Sequence, residues 1–147
     1  MKIHLSGLLL FIAQCPLVFA DGTAAEPEIN EHRALFNYQM LCQGCHVGDG
    51  SGGKDVPNMK GTVGQFLKTP QGREYLIRVP GTANSALDNK ELAELMNWML
   101  PAIGQDSVSD DFLRFSEEEI GTLRQDPLME VVEHRAKVLK QIGYLEP

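Results

Sequence analysis

Cys42-Gln43-Gly44-Cys45-His46 gathers two thiols and an imidazole within five residues. C-x-x-C-H is the spacing at which haem is attached covalently. The thiols stand one helical turn apart and form thioethers to the two vinyl groups of one porphyrin. The histidine that follows directly reaches the iron from the same face of the ring. Cys42 and Cys45 are therefore read as the attachment points of one haem c, and His46 as the proximal iron ligand. Two other chemistries use the same residue types. Zinc would need a fourth ligand, and His46 directly after Cys45 is poorly spaced for a tetrahedral site, with no second pair elsewhere. A simple 42–45 disulfide would form if haem were never attached.

The rest of the cysteine count supports the haem reading. Lys2 followed by an almost uncharged apolar run to Ala20, ending Val18-Phe19-Ala20, has the layout of a cleaved secretory signal. Residues 1–20 are expected to be removed, so that the mature chain begins at Asp21 in the periplasm. Cys15 leaves with the signal. Gln14 stands before it where a lipidated cysteine would want a small residue. Only the two motif cysteines then remain in an oxidising compartment, and two thioethers leave neither free. The apolar run is shorter than the ~20 residues of a spanning helix, so no stable membrane insertion is expected.

Without Lys2 the chain carries 12 basic against 20 acidic residues, a net charge near −8 before any haem propionates are counted. Such a surface excludes nucleic acid and anionic lipid as natural partners and favours a redox protein with a basic docking surface. The mature 127 residues suit one domain.

The elements that must position the motif read as helices throughout, and the fold class is all-α. Residues 21–28 form a polar, flexible leader. Asn30 caps a helix over 31–41, with Leu35, Phe36, Tyr38 and Met40 as its apolar surface, and this helix runs straight into the motif. The glycines of 48–53 form a compact loop that lets the backbone pass close to the haem edge. They do not form a phosphate-binding loop, which would need a Lys-Ser/Thr ending and a preceding strand. Short helices follow over 63–68 and 71–78, broken by Val79-Pro80-Gly81. Asp88 with Glu91 has capping-box spacing ahead of a helix over 89–100 whose apolar face is Leu92, Leu95, Met96 and Met99, stopped by Pro101. Ser116 with Glu119 opens another helix, and Pro127 starts a last one that Gly143 ends.

Residues 29–101 resemble the class I cytochromes c. The resemblance rests on a helix into C-x-x-C-H, a glycine-rich loop, Val56-Pro57-Asn58, and a capped helix ending Asn97-Trp98-Met99-Leu100. It implies a helical core around one covalently bound haem, followed here by a helical extension over 102–147. It also implies that the first and last core helices cross, bringing Phe36 or Tyr38 to Trp98, and that the Pro57 carbonyl accepts a hydrogen bond from the His46 ring. An ordinary turn proline is the plain reading of Pro57.

The sequence departs from the family at the sixth ligand. The segment from Val79 to Leu87, where a Met is expected, holds neither Met nor His. Met59 is the first substitute, although filling the core is its ordinary use. Met96 and Met99 stand at core spacing on a helix. Met129 and His134 belong to the extension, and Met40 lies too close to Cys42 to reach the far face. His32 reads as an exposed helix residue. An iron with no protein ligand on that side is the remaining reading. Arg73 and Arg78 are the expected partners of haem propionates.

Two functions follow. One is a periplasmic electron carrier, without enzymatic activity. The other is a haem protein whose open or weakly ligated iron binds or reacts with oxygen, peroxide or nitric oxide. No distal His–Arg pair of the peroxidase kind is present.

Overall fold

The structure, a computed structural model, describes residues 28–145. The expected export signal, Cys15 and the leader as far as residue 27 lie outside the described residues. Among the described residues there is no strand, only an isolated bridge between Gly53 and Val56, and the architecture is all-α. No described helix is long and apolar enough to cross a membrane.

Helix α1 (Glu31–Leu41) begins where Asn30 accepts a side-chain hydrogen bond from the Arg33 N–H, with Glu31 in the first turn facing the positive end of the helix dipole. It buries Ala34 and Tyr38. Leu35, Phe36 and Met40, expected to supply its apolar contact surface, are exposed. Residues 34 and 38 share one face, whereas 36 and 40 lie about 160° around the helix from Tyr38 and point away from the core.

One turn of helix, α2 (Gln43–His46), follows at once. A 3₁₀ stretch at Val63–Lys68 leads to α3 (Pro70–Arg78) and the single turn α4 (Pro80–Ala83). The Val79-Pro80-Gly81 break is thus a restart: proline at the first helical position lacks only an N–H that would be unpaired anyway.

Helix α5 (Asn89–Gly104) opens on a complete capping box between Asp88 and Glu91. It does not stop at Pro101. Proline forfeits one helical hydrogen bond, but the turn that continues past it buries Leu100, Ile103 and Gly104, and the helix ends only at Gln105. Helix α6 (Glu117–Leu123) is capped by Ser116. The last helix, α7, spans Val131–Ile142 and ends on Gly143 in the left-handed conformation. It starts later than Pro127 implied, because Leu128 is buried and its N–H is taken by the Arg78 carbonyl at 2.8 Å.

Helix α5 is the axis of the core. Helix α1 packs on one part of it and α6 on another, while α7 lies against α3 and the 3₁₀ stretch. Val108, Phe115, Ile120, Leu128 and Val138, all beyond residue 101, share one buried cluster with Tyr38, Leu95 and Leu100.

Candidate haem-attachment site

Helix α1 delivers the motif directly. The Cys42 N–H bonds the Tyr38 carbonyl at 2.9 Å, and the N–H groups of Cys45 and His46 both bond the Cys42 carbonyl, at 3.1 and 3.0 Å. Positions 42, 45 and 46 stand at i, i+3 and i+4, so this turn gathers both thiols and the imidazole on one face. Both thiols are free; Cys45 is exposed and Cys42 half-buried.

The turn is then stopped sharply. Val47 adopts φ 62°, a left-handed conformation that is strained for a β-branched residue. Three contacts hold it. The Val47 N–H bonds Gln43 O at 2.9 Å, the Tyr38 hydroxyl donates to Val47 O at 2.8 Å, and Gly52 N–H bonds His46 O at 3.0 Å. Tyr38 also stacks obliquely on Trp98, with ring centroids 6.1 Å apart. It is therefore Tyr38, and not the exposed Phe36, that joins α1 to α5 and anchors the motif from behind. The hydroxyl's part was not visible in the sequence, where Tyr38 counted only as an apolar position.

The glycine loop folds back beneath His46. A Cβ at Gly52 would stand 2.4 Å from Val56 O and 2.8 Å from Pro57 O, so only glycine permits this approach. The Met59 N–H bonds Gly50 O at 2.8 Å, and a Cβ at Gly50 would collide with Ile103 at 2.2 Å. The loop thus ties the motif to the 56–61 segment and to the end of α5.

His46 Nδ1 is buried and makes no hydrogen bond of regular geometry. Burial pushes the imidazole pKa below its ordinary value, and the Pro57 carbonyl opposes this by favouring the protonated ring. The Pro57 carbonyl therefore lies near the His46 ring, short of a well-aligned bond, and burial favours the neutral imidazole. A metal-ligating imidazole has to be neutral. Burial likewise pushes the Cys42 thiol up, with Cys45 adding to the effect. A dithiol built for exchange has the opposite property, a depressed thiol pKa.

These features fit a covalently attached haem. The motif offers two thiols outside any disulfide and, on the same turn, an imidazole whose burial disfavours protonation. Among the described residues no group of three His, Cys, Asp or Glu side chains stands close enough, as placed, to hold a metal ion. Two surface clefts, of about 430 and 510 Å³, lie between α3 and α6 and beside residues 107–113; neither is lined by the motif.

The other sequence candidates are placed as follows. Met96 and Met99 are core side chains of α5, and Met59 packs, partly buried, against the same cluster. Met129 is 86% exposed, and His134 lies on the surface of α7 with Nδ1 3.1 Å from Glu130 O.

Arg73 and Arg78 have other occupations than a propionate. Arg73 forks onto Glu119 at 2.6 and 2.8 Å, donates to the carbonyls of Leu113 and Arg114, and lies 3.7 Å over the Phe115 ring. Arg78 holds Asp126 through both its carbonyl and its carboxylate. No charge pattern in the sequence announces these hydrogen bonds, because their acceptors lie 40 to 48 residues away.

No family model matches the chain, and no curated protein matches it by sequence.

Proposed function

We propose that this chain is an exported, mono-haem c-type cytochrome that carries electrons to or from a periplasmic protein with a basic docking surface. The observation that carries the reading is the single turn bearing Cys42, Cys45 and His46, with both thiols free and the imidazole partly buried on the same turn. In this reading Cys42 and Cys45 hold the haem through thioethers, and His46 ligates the iron. The Pro57 carbonyl, near the ring, would fix which nitrogen keeps its proton once the His46 ring is held on the iron, as outer partners of ligating histidines do. When bound, the haem supplies a one-electron couple whose potential depends on axial ligation, burial and hydrogen bonding. The chain's own task is to keep this turn rigid, which Tyr38 and Gly52 do by fixing the carbonyls of Val47 and His46. The acidic surface raises the encounter rate with a basic partner and makes it salt-dependent.

The test is the optical spectrum of the exported protein. Cytochrome bands that survive denaturation and organic extraction are expected; extractable haem, or a colourless protein made where haem attachment operates, contradicts the reading. A second reading, an open iron that binds a small ligand, is favoured by one observation. The turn at 84–88 carries no Met or His, and its carbonyls are held by Arg124 from α6. A high-spin ferric form that takes up carbon monoxide on reduction would favour it. A sulfur-to-iron charge-transfer band that disappears in Met59→Ala would instead place Met59 on the iron.

A further inference from the structure

Arg124 follows the last turn of α6, and its guanidinium reaches four acceptors of the segment that enters α5. Nε donates to Ala83 O at 3.0 Å and Nη2 to Ser85 O at 2.6 Å. Nη1 donates to Leu87 O at 2.8 Å and to the Asn89 side-chain oxygen at 3.2 Å. Among the described residues no carboxylate lies within ion-pair distance of it, unlike Arg33, Arg73 and Arg78. A planar fork with five fixed donors can serve carbonyls pointing in from several directions; an ammonium on a flexible stem cannot.

The segment it grips joins the end of α4 to the capping box at Asp88, with Leu87 partly buried against the core. Ser85, Ala86 and Leu87 lie outside any helix, and the Ser85 hydroxyl is buried with no hydrogen-bond partner. Ahead of the Asp88 cap, the amides of Ala83, Asn84 and Ser85 are bonded to the carbonyls of Val79, Pro80 and Thr82. Helix α6 also lies close to the start of α5: a Cβ at Gly121 would stand 2.7 Å from the side-chain amide nitrogen of Asn89.

We propose that Arg124 is a latch: the C-terminal segment, acting through this one side chain, sets the conformation of the 83–89 turn, which opens locally when the latch is removed. The proposal concerns the polypeptide and stands whether or not haem is attached.

The test is native-state amide hydrogen exchange on the full exported chain and on Arg124→Ala. Exchange at Ala83, Asn84 and Ser85 should accelerate at least about tenfold, while the amides of α1 and the middle of α5 stay within about twofold of the parent. Unchanged exchange at 83–85 overturns the proposal. So does equal acceleration throughout, which would make Arg124 a contributor to global stability alone. Arg124→Lys keeps the charge and guards against a variant that fails to fold. Most of the local acceleration should persist in it, and full restoration by lysine would overturn the four-acceptor latch in favour of charge alone.

Discussion

Helix α5 is fastened on two sides by opposite chemistry. Toward α1 the joint is mostly apolar: Ala34 and Tyr38 are buried, Tyr38 meets Trp98, and the one ion pair, Arg33–Glu94 at 2.6 Å, has a half-exposed arginine. Toward residues 113–126 the buried Phe115 and Ile120 are held in place by polar side chains reading backbone. Asn97, the buried polar residue of the core, pairs with both the N–H and the C=O of Phe115, at 2.7 and 2.9 Å. Arg73 of α3 serves the carbonyls of Leu113 and Arg114, and Arg124 those of Ser85 and Leu87 just ahead of α5. An apolar joint tolerates some sliding, since dispersion has no direction. A joint of directed hydrogen bonds has one register. The side carrying the motif therefore owes its position to Tyr38, and the C-terminal segment owes its position to three arginines and an asparagine.

Substitutions can break each side separately. Tyr38→Ala removes the buried ring and the hydroxyl that holds Val47, and should cost about 4 kcal/mol in urea unfolding, as large aromatic truncations do. It should also reduce the fraction of chain that carries haem, because the motif turn loses its support. Asn97→Leu leaves both polar groups of Phe115 buried without a partner and should cost about 3 kcal/mol. Its haem content should follow the folded fraction only. If Asn97→Leu were nearly neutral, the polar joint would be ornamental and the comparison would fail. Tyr38→Phe keeps the ring on Trp98 and removes only the bond to Val47 O. A cost of about 1 kcal/mol is expected, with no change in the C-terminal segment.

The smallest effect concerns pH. The hydrogen bond from Arg33 holds the Glu94 carboxyl below its ordinary value of 4.5, assisted by the Asn30 N–H and opposed by burial. A depressed carboxylate contributes stability that is complete above its unfolded pKa and is lost as pH falls through its folded pKa. Glu94→Gln should therefore flatten the acid limb of the stability curve below about pH 4.5, with the neutral-pH value only slightly lowered. An unchanged acid limb would remove the pair from the account of the α1 joint.

The same contrast explains how much was legible in the sequence. Apolar periodicity and caps located α1, α5 and α6, and Gly143 marked the last terminus, because each signal is local to the element it ends or opens. C-x-x-C-H located the candidate site for the same reason: its three groups are neighbours in sequence. The polar joint was illegible. Arg73, Arg78 and Arg124 hydrogen-bond groups 35 to 48 residues distant, mostly backbone carbonyls, which every residue has and none advertises. Pro101 misled for a related reason: its local cost is visible in the sequence, whereas the burial of Ile103 that outweighs it is tertiary. Phe36 misled because an apolar residue on a helix carries no mark of which face it occupies until a partner helix is in place.

The central claim is that Cys42 and Cys45 bind haem covalently. The most direct test is the intact mass of the chain, exported from a host that attaches haem, denatured and stripped of non-covalent ligands. The account predicts the polypeptide plus one haem, reduced to weak or single attachment in Cys42→Ala or Cys45→Ala and to none in the double variant. The mass of the bare polypeptide, with or without a 42–45 disulfide, would contradict it.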